Sequence, residues 1–418
     1  MTDVKPEVEE APSQAALALA PEVMATSLNE YMRGTYLRIR GGDSGVLPVV
    51  AGLILISALF QALNPHFLTA SNLVNLLIQG AAYMLLAMGE VFPLLGEIDL
   101  SIGFVGGIGG IIVAELVKSQ YGWPWWAAIL AALLVCAAIG LLQGTIITRL
   151  GLPSFVVTLA GLLGWQGVML LMLGNGGSLP INDNVVNDLA SGNLTPAASW
   201  VVMILIVAVF SARTWRRESR RRSSGLVAPP ASVTLIKIGG AALAGIVVVL
   251  ICNTDRGRVV PIKGVPWVVL IVLGVLAMWT ALLGRTKFGR YLYAIGGNAE
   301  AARRAGVNLT TIRTVAFSLS SMTAGIAGVV YASRLRSVST ALDGGTLVLY
   351  AAVIGGTSLF GGRGKAIHAV LGGLVIAAID NGMGLQGYSA AAKYVVTALV
   401  LLASVTIDAV ARRGRLAR

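Results

Sequence analysis

Long apolar runs alternate with short polar stretches along most of the chain. Twelve such runs fall near residues 46–63, 72–95, 102–118, 125–148, 153–173, 199–212, 233–252, 265–284, 313–333, 346–360, 366–385 and 391–411. Most of them have the roughly 17–25 residues that a helix needs to cross the hydrocarbon of a bilayer. They do not alternate between apolar and polar at every second residue, which excludes an outer-membrane barrel. The pattern therefore predicts an all-α polytopic membrane protein with about 10–12 transmembrane helices.

Two features of the pattern bear on its architecture. The runs at 199–212 and 346–360 are short, and glycine interrupts the second, so the pattern also allows ten or eleven full crossings. The turns GEIDLSIG (96–103) and GGTSLFGG (355–362) share the spacing Gly-x-x-x-Leu-x-x-Gly. Helices broken near the membrane midplane in corresponding positions are typical of transporters built from repeats. We therefore predict two related halves with broken or re-entrant segments.

Positive charges gather in a few stretches between the apolar runs. The chain has 31 Lys and Arg against 19 Asp and Glu, a net charge of +12. If the N-terminus is cytoplasmic, parity places most basic stretches on the same side. These are Arg149, 213–222 (RTWRRESRRR), 285–312, 361–365 (GGRGK) and 412–418, whereas 174–198 on the other side has no Lys or Arg. The basic residues that oppose this trend are Arg256, Arg258, Lys263, Arg334 and Arg336.

This parity defines the predicted domains. Residues 1–45 form a polar cytoplasmic tail, 46–411 the transmembrane domain and 412–418 a basic cytoplasmic tail. Within the transmembrane domain, 213–232 is predicted as a basic cytoplasmic loop and 285–312 as a second cytoplasmic loop. Because the charges flank apolar runs, we expect them to set orientation and to meet membrane lipid, and we expect no binding of nucleic acid.

Enzyme motifs are missing from the sequence. The two histidines, His66 and His368, have no Cys, Asp or Glu nearby at metal-ligand spacing. The closest approach to a phosphate-binding loop, GGRGKA (361–366), lacks the first Gly of the motif and the Ser or Thr after the Lys. We therefore expect no catalytic residue, no metal and no cofactor on this chain, and we assign any hydrolysis of ATP to a partner.

Four acidic residues lie within or beside apolar runs: Glu90, Glu97, Asp99 and Asp380. Such residues are costly inside a bilayer unless they are paired or hydrated, so each suggests a function. Glu97 and Asp99 either line a translocation path or, with Ser101, cap the following helix. Glu90 lies in the middle of a run, and proton coupling is its sharpest interpretation. Asp380 and Asn381 line the path or form a helix–helix hydrogen bond.

Two further features of the apolar runs suggest either packing or binding. Trp165 and Gln166 place a stacking surface beside an amide, which suits the apolar faces and hydroxyls of a sugar. Packing is the alternative for both residues. In GFVGGIGG (103–110), glycines recur at every fourth position, a spacing that allows close contact between helices.

The stretch GGNAEAARRAGVN (296–308) predicts a short polar helix between two apolar runs. Asn298 is a candidate N-cap, Glu300 lies in the first turn, and Gly306 is a candidate stop. Glu300 and Arg304 are four residues apart and can pair, while Arg303 and Arg304 suit the C-terminal end. A helix of about two turns is unstable alone in water, so this one needs a surface on which to dock.

Several motifs resemble one known family, the permeases of bacterial ABC-type monosaccharide importers that include those for ribose and xylose. The similar segments are GRYLYAIGGNAEAARRAGVN (289–308), GEIDLSIG (96–103), PSFVVTLAGLL (153–163), VIGGTSLFGG (353–362) and IDNGMGL (379–385). They occur in order and span roughly residues 65–411. The basic insertion around 213–260 is most similar to the xylose branch. Glu90, Pro93 and the long N-terminal tail depart from the family pattern.

The resemblance implies an inner-membrane permease with about ten spans that acts as a homodimer. It also implies cytoplasmic ABC ATPase subunits, which use ATP, and a periplasmic sugar-binding protein. The predicted ATPase-coupling residues are Asn298, Glu300, Arg303, Arg304 and Gly306. The residues predicted to line the substrate pathway are Glu97, Asp99, Trp165, Gln166, Thr357, Ser358 and Asn381. The competing hypotheses are a proton-coupled secondary transporter using Glu90, Glu97 or Asp99, and a related permease for branched-chain amino acids.

Overall fold

Eleven of the twelve apolar runs form helices. The computed structural model describes residues 29–34, 47–94, 97–174, 177–224, 228–257, 260–339 and 364–416. The helices are α1 (Leu47–Leu63), α2 (Ala70–Leu94), α3 (Ile102–Leu116), α4 (Trp125–Leu150), α5 (Ser154–Leu173), α6 (Asn184–Ser191), α7 (Pro196–Ser223), α8 (Ala231–Asn253), α9 (Trp267–Arg285), α10 (Lys287–Gly297), α11 (Ala299–Arg304), α12 (Leu309–Leu335), α13 (Ala366–Leu385) and α14 (Ala390–Leu416). The twelfth run, 346–360, lies outside the described residues.

The helix lengths and compositions confirm an all-α polytopic membrane protein. Within the described ranges, eight helices are long and apolar enough to cross a bilayer: α2, α4, α5, α7, α8, α9, α12 and α13. Shorter apolar helices lie at Val49–Leu63, Ile102–Leu116 and Ala390–Val400. The described strands, β1 (Ser178–Pro180) and β2 (Ser337–Ser339), form one small antiparallel pair, with Leu179 opposite Val338.

The predicted basic loop at 213–232 is largely helical. Helix α7 continues to Ser223, and α8 begins at Ala231, so the link between them is 224–230. The loop prediction was wrong over 213–223 because charge marks the end of a membrane span and not the end of a helix. Arginine is among the better helix formers, so α7 continues through the basic stretch. The segment 285–312 likewise contains two helices, α10 and α11.

The described residues fall into two compact units. One contains Ala197–Leu250, which holds nearly all of α7 and α8, and the other contains Val46–Pro196 with Ile251 onward. In the second unit, α12 is the central helix and packs against α2, α3 and α4, while α13 packs against α2. Most residues in the apolar cores of α2, α12 and α13 are buried.

Glycines let α3 and α12 approach closely. A Cβ added to Gly106 would lie 2.7 Å from the Ala324 carbonyl oxygen, and one on Gly328 would lie 1.8 Å from the Gly106 carbonyl oxygen. Any side chain at either position would therefore push the helices apart. The close helix contact predicted from the glycine spacing of 103–110 is confirmed.

The two ends of α12 mark opposite faces of its unit. At its C-terminal end, Ser333 Oγ donates to the Asn187 carbonyl oxygen (3.0 Å) and accepts from the Ala190 amide (2.9 Å), which ties α12 to α6. At its N-terminal end, α12 follows α11 directly, and the Tyr293 hydroxyl of α10 donates to the Gly364 carbonyl oxygen (2.6 Å) at the start of α13. Residues 177–196 and 285–312 therefore lie on opposite faces of this unit, as the charge pattern predicts, and the cytoplasmic assignment stays a prediction.

One arginine that opposed the charge trend has a structural role. Arg256 Nη2 donates to Asn193 Oδ1 (3.0 Å) and to the Gly264 carbonyl oxygen (3.1 Å). It holds the segment after α8 against the end of α6. The neighbouring Asp255 carboxylate accepts backbone hydrogen bonds from Gly257 and Ile262, and the Gly257 bond is the main cause of its lowered pKa. A positive charge here is thus explained by loop structure.

Candidate functional site

The helix break between α2 and α3 lies inside the bundle. Residues 97–101 are not helical, and α3 begins immediately after them at Ile102. A Cβ on Gly89, near the end of α2, would lie 2.9 Å from Ile102 Cδ1 and 3.2 Å from the Ser320 carbonyl oxygen. Ser320 is near the middle of α12, so the end of the break that meets α3 is at membrane depth. Irregular backbone occurs at this depth where protein surrounds it or where it lines a hydrated cavity.

Polar side chains from two other helices hold the break. Glu97 Oε1 lies 3.1 Å from Arg313 Nη1 in the second turn of α12, and both side chains are mostly buried. The Ile98 amide donates to Ser154 Oγ (3.3 Å), and the Ile98 carbonyl accepts from Thr158 Oγ1 (3.3 Å), both on α5. The break is therefore linked to the helix that follows α11 as well as to α5.

Asp99 does not cap α3 in the predicted way. Its Oδ1 accepts hydrogen bonds from the Ser101 amide (2.8 Å) and the Ser101 hydroxyl (2.7 Å). Ser101 is the N-cap residue of α3, but its side chain makes no cap hydrogen bond. The capping prediction is wrong in this form because the aspartate closes a turn onto the residue two positions ahead. Gln143 Nε2 of α4 donates to Ser101 Oγ (2.8 Å), which extends the network to a third helix.

Several buried polar atoms around the break have no hydrogen-bond partner within the described ranges. They belong to six residues, which we name the central polar cluster: Glu90, Asp99, Gln143, Trp165, Ser320 and Ser321. The unpaired atoms are both carboxylate oxygens of Glu90, Asp99 Oδ2, Gln143 Oε1, Trp165 Nε1 and the two serine hydroxyls. Native proteins have only a few such atoms per 100 residues, and each suggests a missing water or ligand.

Close approaches of glycines show how the cluster is assembled. A Cβ on Gly161 would lie 2.3 Å from Gln143 Nε2 and 3.3 Å from Trp165 Nε1. One on Gly140 would lie 2.6 Å from Ser321 Oγ. The carboxyl of Glu90 lies beside Asp99, whose backbone amide faces it. The cluster thus combines acceptors and donors from α2, the break, α4, α5 and α12.

A narrow cleft also opens between α2, α3 and α12. Aromatic rings of Tyr83 and Tyr331 line it together with the small residues Gly103, Gly106 and Gly328. The space between them is only about as large as one water molecule, so the cleft is a packing gap between closely approaching helices.

Asn381 forms a helix–helix hydrogen bond, one of its two predicted roles. The side-chain amides of Asn381 and Asn72 donate to each other (2.8 and 3.1 Å) and join α13 to α2. Beside them, Asp380 Oδ1 pairs with Lys393 Nζ of α14 (2.8 Å), and its Oδ2 accepts from Gln79. No hydrogen bond in the described part of the chain joins this group to the central polar cluster.

The other residues predicted to line the pathway have different outcomes in the structure. Trp165 belongs to the central polar cluster, whereas Gln166, the next residue on α5, is half-buried and takes no part in its hydrogen bonds. Thr357 and Ser358 lie outside the described residues.

The short helix α11 has the local structure that its sequence predicts. Asn298 Oδ1 accepts from the Ala301 amide (2.9 Å) at the N-terminus. Gly306 has a φ of 83°, its amide donates to the Arg303 carbonyl (3.0 Å), and the Val307 amide donates to the Ala302 carbonyl (3.1 Å). These two bonds form a Schellman motif. The N-cap and the glycine stop are confirmed.

The charged residues of α11 face outward. Glu300 pairs with Arg303 (2.8 Å) and with Arg304 (3.0 Å), so the predicted Glu300–Arg304 pair is confirmed. Hydrogen bonds from Arg303 and then Arg304 hold the pKa of Glu300 below its ordinary value. All three side chains are exposed, whereas Ala302 is buried. The helix thus buries one small residue and leaves its charges exposed.

Sequence reasoning missed four residues of the site: Gln143, Arg313, Ser320 and Ser321. All lie within predicted spans, where the uncharged ones look like ordinary helix polar residues. The signal available was the run SLSSMTAG (318–325), which is unusually rich in hydroxyls for a membrane span. Which face of α4 and of α12 is turned towards the break can be seen only in the folded structure.

Comparisons with known proteins identify the family. The chain matches the model for the permease component of branched-chain amino acid transport systems over residues 72–405. It is 33% identical to the xylose transport system permease protein XylH of Escherichia coli over 390 residues, covering 89% of this chain and 95% of that protein. It is 32% identical to XylH of Haemophilus influenzae (89% and 98%) and 30% identical to the ribose import permease protein RbsC of Escherichia coli (86% and 92%). No solved structure matches. The chain therefore belongs to this family of transport permeases and is a multi-pass membrane protein.

Proposed function

We propose that this chain is the permease subunit of an ATP-driven importer of a monosaccharide, xylose or a similar aldose, in a bacterial inner membrane. Its relatives carry the names of permeases for xylose, ribose and D-allose. The proposed complex contains two copies of this chain, cytoplasmic ATPase subunits that hydrolyse ATP, and a periplasmic sugar-binding protein. The chain itself binds no cofactor and catalyses no reaction.

The central polar cluster is the observation that carries this proposal. A monosaccharide has several hydroxyls, each of which both donates and accepts hydrogen bonds. The cluster offers carboxylate and amide oxygens from Glu90, Asp99 and Gln143 as acceptors, and the Trp165 Nε1–H as a donor. Buried polar atoms without partners favour a ligand that satisfies them, because leaving them bare is costly. A branched-chain amino acid would instead need an apolar pocket for its side chain.

The proposed pathway therefore runs past the break between α2 and α3. Glu97, Asp99 and Trp165 keep the pathway role predicted from the sequence, and Glu90, Gln143, Ser320 and Ser321 join them. Gln166, Thr357 and Ser358 remain proposed lining residues. Asn381 already has a partner in Asn72, so its contribution is to hold α13 against α2.

We assign ATPase coupling to α11, with Asn298, Glu300, Arg303, Arg304 and Gly306 as the residues that shape or present it. The helix is too short to be stable without a docking surface. Its exposed charges suit a polar groove on a partner.

A continuous route links α11 to the break. Helix α12 starts after a link of four residues from α11, its second turn carries Arg313, and Arg313 pairs with Glu97 in the break. Movement of α11 by the ATPases would therefore shift the Arg313–Glu97 pair and the backbone beside the central polar cluster. Such a shift of populations between inward-open and outward-open states is sufficient for alternating access.

The test is reconstitution of the complete complex in proteoliposomes. We expect xylose or a related aldose, presented by the binding protein, to stimulate both ATP hydrolysis and uptake of labelled sugar. Uptake that an uncoupler abolishes and that needs no ATPase would contradict the proposal in favour of a proton-coupled transporter. Uptake that leucine blocks and pentoses do not would favour a branched-chain amino acid permease.

Variants of α11 test the coupling role. Glu300→Ala and Arg304→Glu should abolish sugar-stimulated hydrolysis and uptake while membrane insertion stays normal. The matched control is Glu115→Ala, which breaks an i,i+3 pair with Lys118 (2.6 Å) at the end of α3. Wild-type stimulation in either α11 variant, or an equal loss in the control, would refute the assignment.

A further inference from the structure

The C-terminal end of α7 carries the densest positive charge in the described chain. Six arginines and one glutamate occupy 213–222. This end of α7 packs against the start of α8 within their own compact unit. The transport mechanism proposed above uses none of these residues.

Glu218 neutralises part of this charge. Its side chain is almost fully buried and accepts a hydrogen bond from Thr234 of α8. Arg217 and Lys237 approach its Oε1 at 3.6 Å, and Arg222 approaches its Oε2 at 3.9 Å. One carboxylate is thus the shared counter-charge of three cations.

The other four arginines, Arg213, Arg216, Arg220 and Arg221, have no ion pair among the described residues, and all four are exposed. Arg213, Arg216 and Arg220 are spaced three and four residues apart, so they share one face of α7. Like charges at this spacing repel each other. A bound anion removes that repulsion, and guanidinium groups bind phosphate with two parallel hydrogen bonds.

The neighbouring side chains place this face at the level of the headgroups of a bilayer. Apolar residues just before it, such as Ile206 and Phe210, are exposed and suit the hydrocarbon. Trp215 is 43% exposed, and the Arg222 guanidinium lies 5.7 Å from the centre of its ring. Tryptophan is enriched at the interface between lipid and water. An arginine face between hydrocarbon and water meets lipid phosphates.

We propose that Arg213, Arg216 and Arg220 bind the phosphate headgroups of anionic phospholipids, which makes the end of α7 a lipid-binding site. Arg221 lies at the edge of the same surface and adds to its charge. Arg217 instead pairs with Glu218 on the same helix, while Lys237 pairs with Glu218 and Arg222 donates to Thr234 (2.8 Å), which joins α7 to α8. Adjacent exposed apolar residues favour a lipid over a nucleic acid, which would meet only the charges. This proposal does not depend on the transported solute.

The experiment measures binding of phosphatidylglycerol to the full purified chain in detergent, by native mass spectrometry and by titration. Each arginine near an anionic surface contributes roughly a five-fold factor to binding. The triple variant Arg213→Gln/Arg216→Gln/Arg220→Gln should therefore bind roughly one hundred-fold more weakly. The variant with lysine at these three positions should retain most of the binding, because it keeps the charge. Phosphatidylcholine serves as the zwitterionic reference lipid.

Adjacent residues provide a matched control. Arg216→Gln should weaken phosphatidylglycerol binding roughly five-fold, and Arg217→Gln should have a clearly smaller effect, since the Arg217 guanidinium already lies 3.6 Å from the Glu218 carboxylate. Elution volume and thermal stability verify that each variant is folded. Undiminished binding by the triple variant, or equal effects at 216 and 217, would overturn the proposal. So would tighter binding of a single-stranded RNA oligonucleotide than of phosphatidylglycerol.

Discussion

Two glutamates in membrane helices, Glu90 and Glu218, are equally buried but have opposite surroundings. Glu218 has three cations within 4 Å and a hydroxyl donor, whereas Glu90 has no cation and no side-chain donor beside it in the described residues, only the backbone amide of Asp99. The helices differ as well. In α7 only 6% of the most apolar window is buried, against 72% in α2. The long side chains of Arg and Lys can therefore reach Glu218 while they remain partly in water. Packed helices surround Glu90 instead.

This difference separates a carboxylate that holds structure from one that is available to a solute. A buried charge surrounded by cations fixes two helices together, as Glu218 fixes α7 to α8 through Thr234 and Lys237. A buried carboxyl without a counter-charge contributes little to stability, and it persists where function requires it. Two glutamates with the same degree of burial therefore have different roles, one structural and one functional.

The largest expected difference between the two glutamates is in the free energy of unfolding after each is replaced. Glu218→Ala leaves Arg217, Arg222 and Lys237 without their counter-charge, and it leaves Thr234 without its acceptor. Because the three cations are partly exposed, we expect a loss of about 2 kcal/mol in the free energy of unfolding, less than for a fully buried pair. Glu90→Gln should leave stability unchanged or raise it, and should still lower sugar uptake. Denaturant titration in mixed micelles measures the first quantity, and equal losses from both substitutions would remove the distinction.

Substitutions of glycine are expected to have a smaller effect. They compare the packing around α4 and α12 with the packing around α8. A Cβ on Gly140 of α4 would lie 2.3 Å from the Phe317 carbonyl oxygen of α12, whereas Gly240 of α8 has no atom within 4 Å. Gly140→Ala should cost about 1–3 kcal/mol through overpacking. Gly240→Ala should be neutral or stabilise by about 0.5–1 kcal/mol, because alanine favours the helix. Similar melting temperatures for the two variants would show that the centre is not closely packed.

The smallest effect concerns α11, where Glu300 is paired but exposed. Hydrogen bonds from Arg303 and Arg304 lower its pKa, so its contribution to helix stability is complete above the ordinary carboxyl value of about 4.3. That contribution is lost as the pH falls through the lowered pKa. Hydrogen-exchange protection of the α11 amides, corrected for intrinsic rates, should decrease over that acidic range. Glu300→Gln should abolish the pH dependence, and a wild-type profile without any decrease would contradict the pairing.

The sequence was sufficient for the features that depend on local pattern. Apolar run length predicted eleven helices, and Asn298, Glu300 and Gly306 predicted the caps and pair of α11, because these bonds form between neighbours in the chain. Partners distant in sequence could not be predicted. The hydrogen bonds between Asn72 and Asn381, and the ion pair between Glu97 and Arg313, depend on which helices pack together. Charge density likewise predicted a loop at 213–223, where α7 is helical.

The central claim is that the unpartnered polar atoms face a path that opens to water and sugar during ATP turnover. Two buried serines of α12 test it: Ser320 Oγ has no hydrogen-bond partner in the described structure, and Ser333 Oγ bonds to Asn187 and Ala190. Each is replaced by Cys after the native Cys136 and Cys252, both buried, are changed to Ser or Ala. In the reconstituted complex, Ser320→Cys should react with a small hydrophilic thiol reagent only during ATP turnover. Transported sugar should slow this reaction. Ser333→Cys should not react under any of these conditions. An inert Ser320→Cys throughout turnover, or equal labelling at both positions, would contradict the account.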